Sequence, residues 1–175
     1  MKSQKIYLSV LLLLSLCFTE CKKGEDDPLL SLRTRKARVV GKWKLVSGLK
    51  TTVSFPSWTT TTEYTRNEYI QKYTGSNQTE KGDIFYFIEF KKNGEVNESR
   101  QLEYNDRHGI VGTWNFTGGI GGKKNKEEIL LHDSRVIFPS DIVYNIKELR
   151  AKKLVLVRGY QYNANGFNEE FTFEQ

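Results

Sequence analysis

The sequence predicts an all-β protein, an antiparallel up-and-down β-barrel of about eight strands that follows a signal peptide and a short N-terminal helix. After Gly41, β-branched and aromatic residues alternate with polar ones, turn sequences such as Asn93-Gly94 recur at short intervals, and no long helical period appears. Evenly spaced antiparallel strands must close or stack to hide their edges. A small barrel needs only one inward apolar face per strand, although periodicity leaves a two-sheet sandwich open.

The N-terminal segment has the features of a secretory signal. Lys2 and Lys5 precede an apolar run from Ile6 to Leu16. This run is too short to cross a bilayer as a stable helix. We therefore predict that residues 1–20 are a signal peptide, absent from the mature chain.

Cys21 ends this segment, and the polar sequence KKGEDD follows it. The junction resembles the N-terminus of bacterial lipoproteins of the Bacteroidetes type, in which a cysteine becomes the first residue and carries acyl chains such as palmitate. The resemblance implies acylation at Cys21, with Cys17 as the alternative, and a tether over residues 21–27. It also implies a membrane partner, reached through the lipid, and attachment in the cell envelope at the outer membrane, on the periplasmic or the surface face.

The predicted mature chain has one cysteine and a mild positive charge. Removing residues 1–20 takes Lys2, Lys5 and Glu20 from 27 basic and 21 acidic residues, which leaves 25 minus 20, or +5. The basic residues are scattered, so the charge does not favour nucleic acid as a partner. With Cys21 acylated no disulfide is left, and the core alone must hold the fold.

The segment 28–40, PLLSLRTRKARVV, predicts one short helix. Asp27 is the expected N-cap and Pro28 the first helical residue. Basic residues crowd the later turns, where they complement the helix dipole. Gly41 is expected to end the helix in a left-handed conformation.

The strands follow from period-two patterns between turn sequences. DIFYFIEF is a strong strand that is apolar on both faces, and KKNGEV after it predicts a hairpin. NDRHG predicts a further turn, and in IVGTWNFTG the residues Ile110, Trp114 and Phe116 share a face. Later strands are predicted in EEILLHD, in DIVYNIKEL after the break at Pro139, in LVLVRGYQY and after NANG.

Two Gly-x-Trp sequences, Gly41-Lys42-Trp43 and Gly112-Thr113-Trp114, carry a resemblance to the lipocalin-like domains of many Bacteroidetes lipoproteins. In lipocalins, a glycine-x-tryptophan opens the first strand and its tryptophan closes one end of the barrel. The resemblance covers most of residues 28–175. It implies a lipocalin-like barrel domain and, through the ligand-carrying members, a small apolar or amphipathic ligand.

Aromatic side chains are the candidate lining of such a barrel. The residues singled out as ligand-binding candidates are Trp43, Phe87, Trp114, Tyr144 and Glu169. Glu169 belongs to this set because Phe167, Phe171 and Phe173 lie at alternate positions around it, which predicts an inward carboxylate for a cationic or hydroxylated ligand. Aromatic residues can also simply fill an eight-stranded barrel, so both a hollow and a solid interior stay open.

No pattern in the sequence indicates catalysis, a metal site or a cofactor. His108 is expected in a turn and His132 at a strand end, without the partners that a nucleophilic or zinc site requires. GGIGG at 118–122 lacks the Gly-Lys-Ser/Thr of a phosphate-binding loop, and a predicted strand follows it where such a loop has a helix. We therefore expect a non-catalytic, lipid-anchored envelope protein that binds a ligand, or alternatively a solid barrel that serves as an interaction or structural module.

Overall fold

The computed structural model describes residues 34–54, 58–102, 107–117, 128–135 and 141–175. Its elements are α1 (Arg35–Val39), β1 (Gly41–Ser54), β2 (Trp58–Tyr64), β3 (Glu68–Tyr73), β4 (Thr79–Phe90), β5 (Glu95–Leu102), β6 (Arg107–Phe116), β7 (Glu128–Asp133), β8 (Asp141–Leu149), β9 (Lys153–Tyr162) and β10 (Asn165–Glu174). The predicted signal peptide, tether, Cys17 and Cys21 lie outside the described residues. No helix in the described ranges is both long and apolar enough to span a membrane.

Ten described strands close into one antiparallel barrel in which each strand neighbours the next in sequence and β1 pairs with β10. The prediction of an all-β, antiparallel, closed barrel is therefore confirmed, and the sandwich is excluded. The described residues form ten strands, where the sequence predicted about eight.

The strand number differs between the two ends of the barrel. At one end, Gly41–Lys44 of β1 pairs directly with Phe87–Phe90 of β4, so eight strands complete the circuit. Further along β1, from Gly48 to Ser54, the β2–β3 hairpin is inserted between β1 and β4, and ten strands complete it. We call the eight-stranded end the base and the ten-stranded end the mouth. Because barrel diameter grows with strand number, the barrel widens from base to mouth.

The base is filled by apolar side chains. Buried residues here, each at most 5% exposed, include Trp43, Leu45, Ile88, Phe90, Trp114, Leu131, Leu154 and Phe173. Alternation along each strand puts these side chains on the inner face. The indole N–H of Trp43 donates to the Val39 carbonyl at 2.7 Å, and that of Trp114 donates to the Lys91 carbonyl at 3.0 Å. Both polar groups are thereby satisfied, as burial of an indole requires.

Helix α1 packs against this base. The Thr34 hydroxyl caps it by accepting from the Ala37 N–H at 3.2 Å, and Arg38 donates to the Leu149 carbonyl. This helix covers the end of the segment 28–40 that was predicted as one helix, whereas the predicted cap Asp27 lies outside the described residues. Gly41 follows with a φ of +142°, which favours glycine and turns the chain into β1.

Two hairpin turns agree with their sequences. Gly94 has a φ of +90° at the predicted Asn93-Gly94 turn between β4 and β5, and Asn163 has a φ of +52° between β9 and β10. The turn predicted at NDRHG needs correction. β6 begins at Arg107, so His108 lies within a strand and pairs with Arg100 of β5.

Candidate ligand-binding cavity

A cavity of about 320 Å³ lies inside the barrel, on the mouth side of the apolar base. Its volume is at the lower end of the range found for small-molecule sites, roughly 300–1,000 Å³. Charged and aromatic side chains dominate its lining, which includes Lys50, Glu98, Arg100, Asp133, Tyr144 and Arg158.

Strand register brings the charged side chains together from both walls. On one wall, Lys50 of β1 lies opposite Glu169 of β10, and Glu169 lies opposite Arg158 of β9. On the other wall, Arg100 of β5 lies opposite Tyr86 of β4, and Glu98 precedes Arg100 by two residues on the same face. The lining of the cavity therefore comes from six strands, β1 and β5 to β9.

A β-bulge sets the direction of Lys50. The register of β1 against β10 shifts between Leu45 and Ser47. Trp43 and Leu45 point inward before the bulge, and Gly48 and Lys50 share the inner face after it, because the extra residue reverses the alternation. Without the bulge, Lys50 would point outward.

Glu169 and Arg158 form the buried ion pair of the cavity. Glu169 is only 1% exposed, and its Oε1 lies 2.7 Å from both Nε and Nη2 of Arg158. The guanidinium also lies 5.1 Å from the centre of the Tyr144 ring and 5.0 Å from that of Phe167. Within the described part of the chain, Oε2 of Glu169 has no hydrogen-bond partner.

Glu98 and Tyr86 form the second buried pair. The Tyr86 hydroxyl donates to Glu98 Oε1 at 2.7 Å, and both side chains are buried. Burial raises the pKa of Glu98, while the hydrogen bond and the charge of Arg100 oppose that rise. Burial likewise raises the pKa of the Tyr86 and Tyr144 hydroxyls, so both remain protonated hydrogen-bond donors at neutral pH.

Two cations of the cavity have no carboxylate partner among the described residues. Arg100 approaches the Tyr64 hydroxyl with its Nη2, at 3.4 Å, and its Nε has no hydrogen-bond partner in the described part of the chain. Lys50 has no ion pair in this part of the structure; its Nζ lies 6.0 Å from the centre of the Phe167 ring. Burial lowers the pKa of Lys50, Glu169 raises it, and repulsion from Arg100 and Arg158 lowers it further.

The remaining acidic group of the lining, Asp133, is neutralised from outside the cavity. Arg135 binds it through two contacts, Nε to Oδ1 at 3.0 Å and Nη2 to Oδ2 at 2.9 Å. This pairing lowers the pKa of Asp133. Lys50, Arg100 and Arg158 therefore face only Glu98 and Glu169, a surplus of one positive charge among the described residues when both carboxylates are ionised.

The mouth above the cavity is aromatic. Trp58, Tyr160, Tyr162 and Phe167 share the inner-facing alternation of their strands, as the pairing of Tyr160 with Phe167 shows. Trp58 and Tyr160 are each 55% exposed, and the Tyr160 and Phe167 rings lie 6.0 Å apart. Apolar groups that enter the barrel would contact these rings before they reach the charged layer.

The five predicted ligand-binding residues lie in different parts of the barrel. Tyr144 lines the cavity, and Glu169 lies at its wall on the same face as Phe171 and Phe173, as the alternation predicted. Trp43 and Trp114 belong to the packed base. Their buried rings are surrounded by other core side chains and contribute to the floor below the cavity.

The expectation that Phe87 lines the interior needs correction. Tyr86 and Ile88 are buried on the inner face of β4, so Phe87 between them points to the outer face. There its ring lies 5.6 Å from that of Phe85 and 4.0 Å from the Lys42 Nζ.

Sequence analysis missed the cations. Arg158 continues the alternation of Leu154 and Leu156, and Arg100 continues that of Val96 and Glu98. Following the inner-facing positions of each strand past its apolar residues would have found both side chains. Lys50 lacked such a signal because of the bulge.

The histidines and potential metal ligands of the described ranges form no further candidate site. His132 points outward from β7 and its Nδ1 lies 2.8 Å from Asp141 Oδ1, while the His108 side chain lies outside the described residues. No group of three or more potential metal ligands is present in the described part of the chain. Comparisons with protein-family models, with curated proteins and with solved structures find no match.

Proposed function

We propose that this protein is a non-catalytic, lipid-anchored component of the bacterial cell envelope, attached at the outer membrane through Cys21, whose barrel binds a small apolar or amphipathic ligand. The observation that carries the ligand is the 320 Å³ cavity between a packed apolar base and an aromatic mouth. Concave interiors with convergent polar groups are typical of small-molecule sites, and here the exposed apolar surface lies at the aromatic mouth next to the charged cavity.

Native mass spectrometry of the full chain tests the ligand-binding proposal. We expect a small-molecule adduct on the wild type that is absent from Ile142→Trp, in which an indole occupies the cavity. Val143→Trp is the matched control, because Val143 alternates with Ile142 on β8 and faces away from the cavity. A wild type that carries no adduct after exposure to envelope lipid extracts would refute this part of the proposal.

Anchoring is tested separately by metabolic labelling with a palmitate analogue. We expect Cys21→Ser to lose both the label and membrane attachment, because acyl chains supply about 0.8 kcal/mol per buried methylene. Cys17→Ser is the control and should keep both properties. Equal labelling of Cys21→Ser and the wild type would contradict the assignment of Cys21.

A second candidate function, an envelope interaction module, is favoured by one feature of the outer wall. Phe85 is 54% exposed beside Phe87, and the Lys42 ammonium lies against the Phe87 ring. Exposed aromatic residues of this kind are frequent at protein interfaces. Crosslinking in the envelope should then give a stoichiometric protein partner that Phe85→Ser loses and Ile142→Trp keeps.

A further inference from the structure

We infer that the ligand is an amphipathic molecule with an anionic head group, such as a carboxylate, and that it enters head first. The head group would lie between Lys50, Arg100 and Arg158, and the apolar part would stay among the mouth aromatics. This inference rests on the proposed ligand-binding function and specifies the class and orientation of the ligand.

Charge decides the sign of the head group. Three cations, Lys50, Arg100 and Arg158, face the carboxylates of Glu98 and Glu169. The third carboxylate, Asp133, is already neutralised by Arg135. Arg158 is committed to Glu169 through two of its nitrogens. A cationic ligand would add to the positive surplus, whereas an anion would balance it.

Unused hydrogen-bond donors point to the same class of ligand. Arg100 is half-buried, its Nε has no partner among the described residues, and its contact with Tyr64 is long at 3.4 Å. A guanidinium has five N–H donors in a planar fork that matches a carboxylate. Lys50 adds three donors from the neighbouring wall. Partly buried cations cost free energy unless they are paired, and Lys50 and Arg100 have no carboxylate partner among the described residues, so the site favours an anionic group.

Packing decides the orientation. Below the cavity, Trp43, Ile88, Phe90, Trp114 and Phe173 are each at most 5% exposed and fill the base. A hydrocarbon tail therefore has no space beneath the charged layer. Above that layer, Trp58 and Tyr160 present exposed aromatic surface at the mouth. The apolar part of the ligand must lie there when its head group reaches the cations.

Calorimetry with three amphiphiles of one chain length tests the head group. The full chain in phosphatidylcholine nanodiscs is titrated with decanoate, decanol and decyltrimethylammonium, each below its micellar concentration, and the heat from empty nanodiscs is subtracted. We expect decanoate to bind at least about tenfold more tightly than decanol, in line with the strength of charged hydrogen bonds. Decyltrimethylammonium should bind more weakly than either.

Cavity variants then locate the interaction. Lys50→Met and Arg100→Met should each weaken decanoate binding by about tenfold or more and leave decanol binding unchanged. Lys72→Met and Arg66→Met remove the same charges from the exposed surface and are the matched controls. Thermal unfolding confirms that each variant is folded. If Arg100→Met does not fold, Lys50→Met alone tests the cation site.

Bromine quenching of tryptophan fluorescence tests the orientation. A bromine at the tail end of 10-bromodecanoate should quench Trp58 at the mouth, so the quenching seen in the wild type should be lost in Trp58→Phe. Quenching that persists in Trp58→Phe would come from Trp43 or Trp114 in the base, and it would overturn the head-first orientation.

The outcomes separate the inference from the function on which it rests. Tighter binding of decanol or decyltrimethylammonium than of decanoate, or equal loss of decanoate affinity in Lys50→Met and Lys72→Met, overturns the anionic head group but leaves a ligand-binding barrel. Absence of binding by all three amphiphiles, together with a wild type without adducts, overturns both.

Discussion

The base and the mouth of this barrel are made from the same strands and differ in almost everything else. At the base, eight strands enclose side chains that are apolar and buried. At the mouth, ten strands enclose Lys50, Glu98, Arg100, Arg158 and Glu169 around a cavity. The contrast teaches that packing and charge are divided along the barrel axis. The apolar base stabilises the fold, whereas partly buried cations without a carboxylate partner among the described residues are destabilising.

The largest effect should come from truncating the same residue type at each end. Trp43→Ala removes a fully buried indole and its hydrogen bond to Val39, and should lower the free energy of unfolding by about 3–5 kcal/mol. Trp58→Ala, at the exposed mouth, should change it by no more than about 0.5 kcal/mol. Denaturant titration of both variants measures the difference, and similar losses would break the division.

A second comparison concerns the border between the two regions. Gly48 lies opposite Phe171, and a Cβ at Gly48 would lie 2.5 Å from the Phe171 ring and 3.1 Å from the Glu170 carbonyl. Gly48→Ala should therefore cost about 1–3 kcal/mol of stability through overpacking. Gly159→Ala is the control at the mouth, because its nearest contact is the Asn168 amide oxygen at 3.2 Å. In chemical denaturation, Gly48→Ala should lose more of the free energy of unfolding than Gly159→Ala.

The pH dependence of stability offers a third, smaller effect. Burial raises the folded-state pKa of Glu98, so its contribution to stability is greatest below the ordinary glutamate pKa and is lost as the pH rises through the raised value. Glu98→Gln keeps an acceptor for Tyr86 and cannot ionise. Its melting temperature relative to wild type should therefore increase from about pH 4 upward.

Glu95 on the same strand provides a control of opposite sign. Its pKa is lowered by the hydrogen bond and charge of Lys91, so ionisation favours the folded state. The melting temperature of Glu95→Gln relative to wild type should fall slightly as the pH rises toward the ordinary glutamate pKa and then stay level above it. Parallel trends in Glu98→Gln and Glu95→Gln would contradict the burial argument.

The smallest effect distinguishes a cation of the cavity from one of the surface. Lys50→Met removes a charge that burial and two neighbouring cations disfavour, so it should raise the melting temperature of the ligand-free protein at neutral pH. Lys72→Met breaks an exposed ion pair with Glu63 and should shift stability by less than about 0.5 kcal/mol. Differential scanning calorimetry resolves the two, and a destabilised Lys50→Met would place Lys50 in the stabilising framework.

The sequence predicted the base far better than the mouth. Period-two alternation correctly predicted that Trp43, Trp114 and Phe173 are buried, because apolar side chains on the inner face of a closed barrel pack against one another. It could not orient Phe87, since DIFYFIEF is apolar on both faces and the choice depends on neighbouring strands. Nor could it place Lys50, because the bulge after Leu45 is visible only in the pairing with β10.

The strand count failed for a related reason. Nothing in the run from Trp58 to Tyr73 says whether its hairpin continues the barrel or is inserted above a direct β1–β4 pairing. Register between β1 and β4, whose paired residues are 43 to 49 positions apart in the sequence, decides this point. Long-range pairing of this kind leaves no local pattern in the residues themselves.

Because of the β2–β3 insertion, the barrel is narrow at the base and wide at the mouth, and the extra width comes from a single hairpin. Two extra strands enlarge the circumference by about a quarter where the hairpin is present and leave the β1–β4 seam below it untouched. Shortening or lengthening this hairpin would therefore change the diameter of the mouth and leave the aromatic residues packed in the base unchanged.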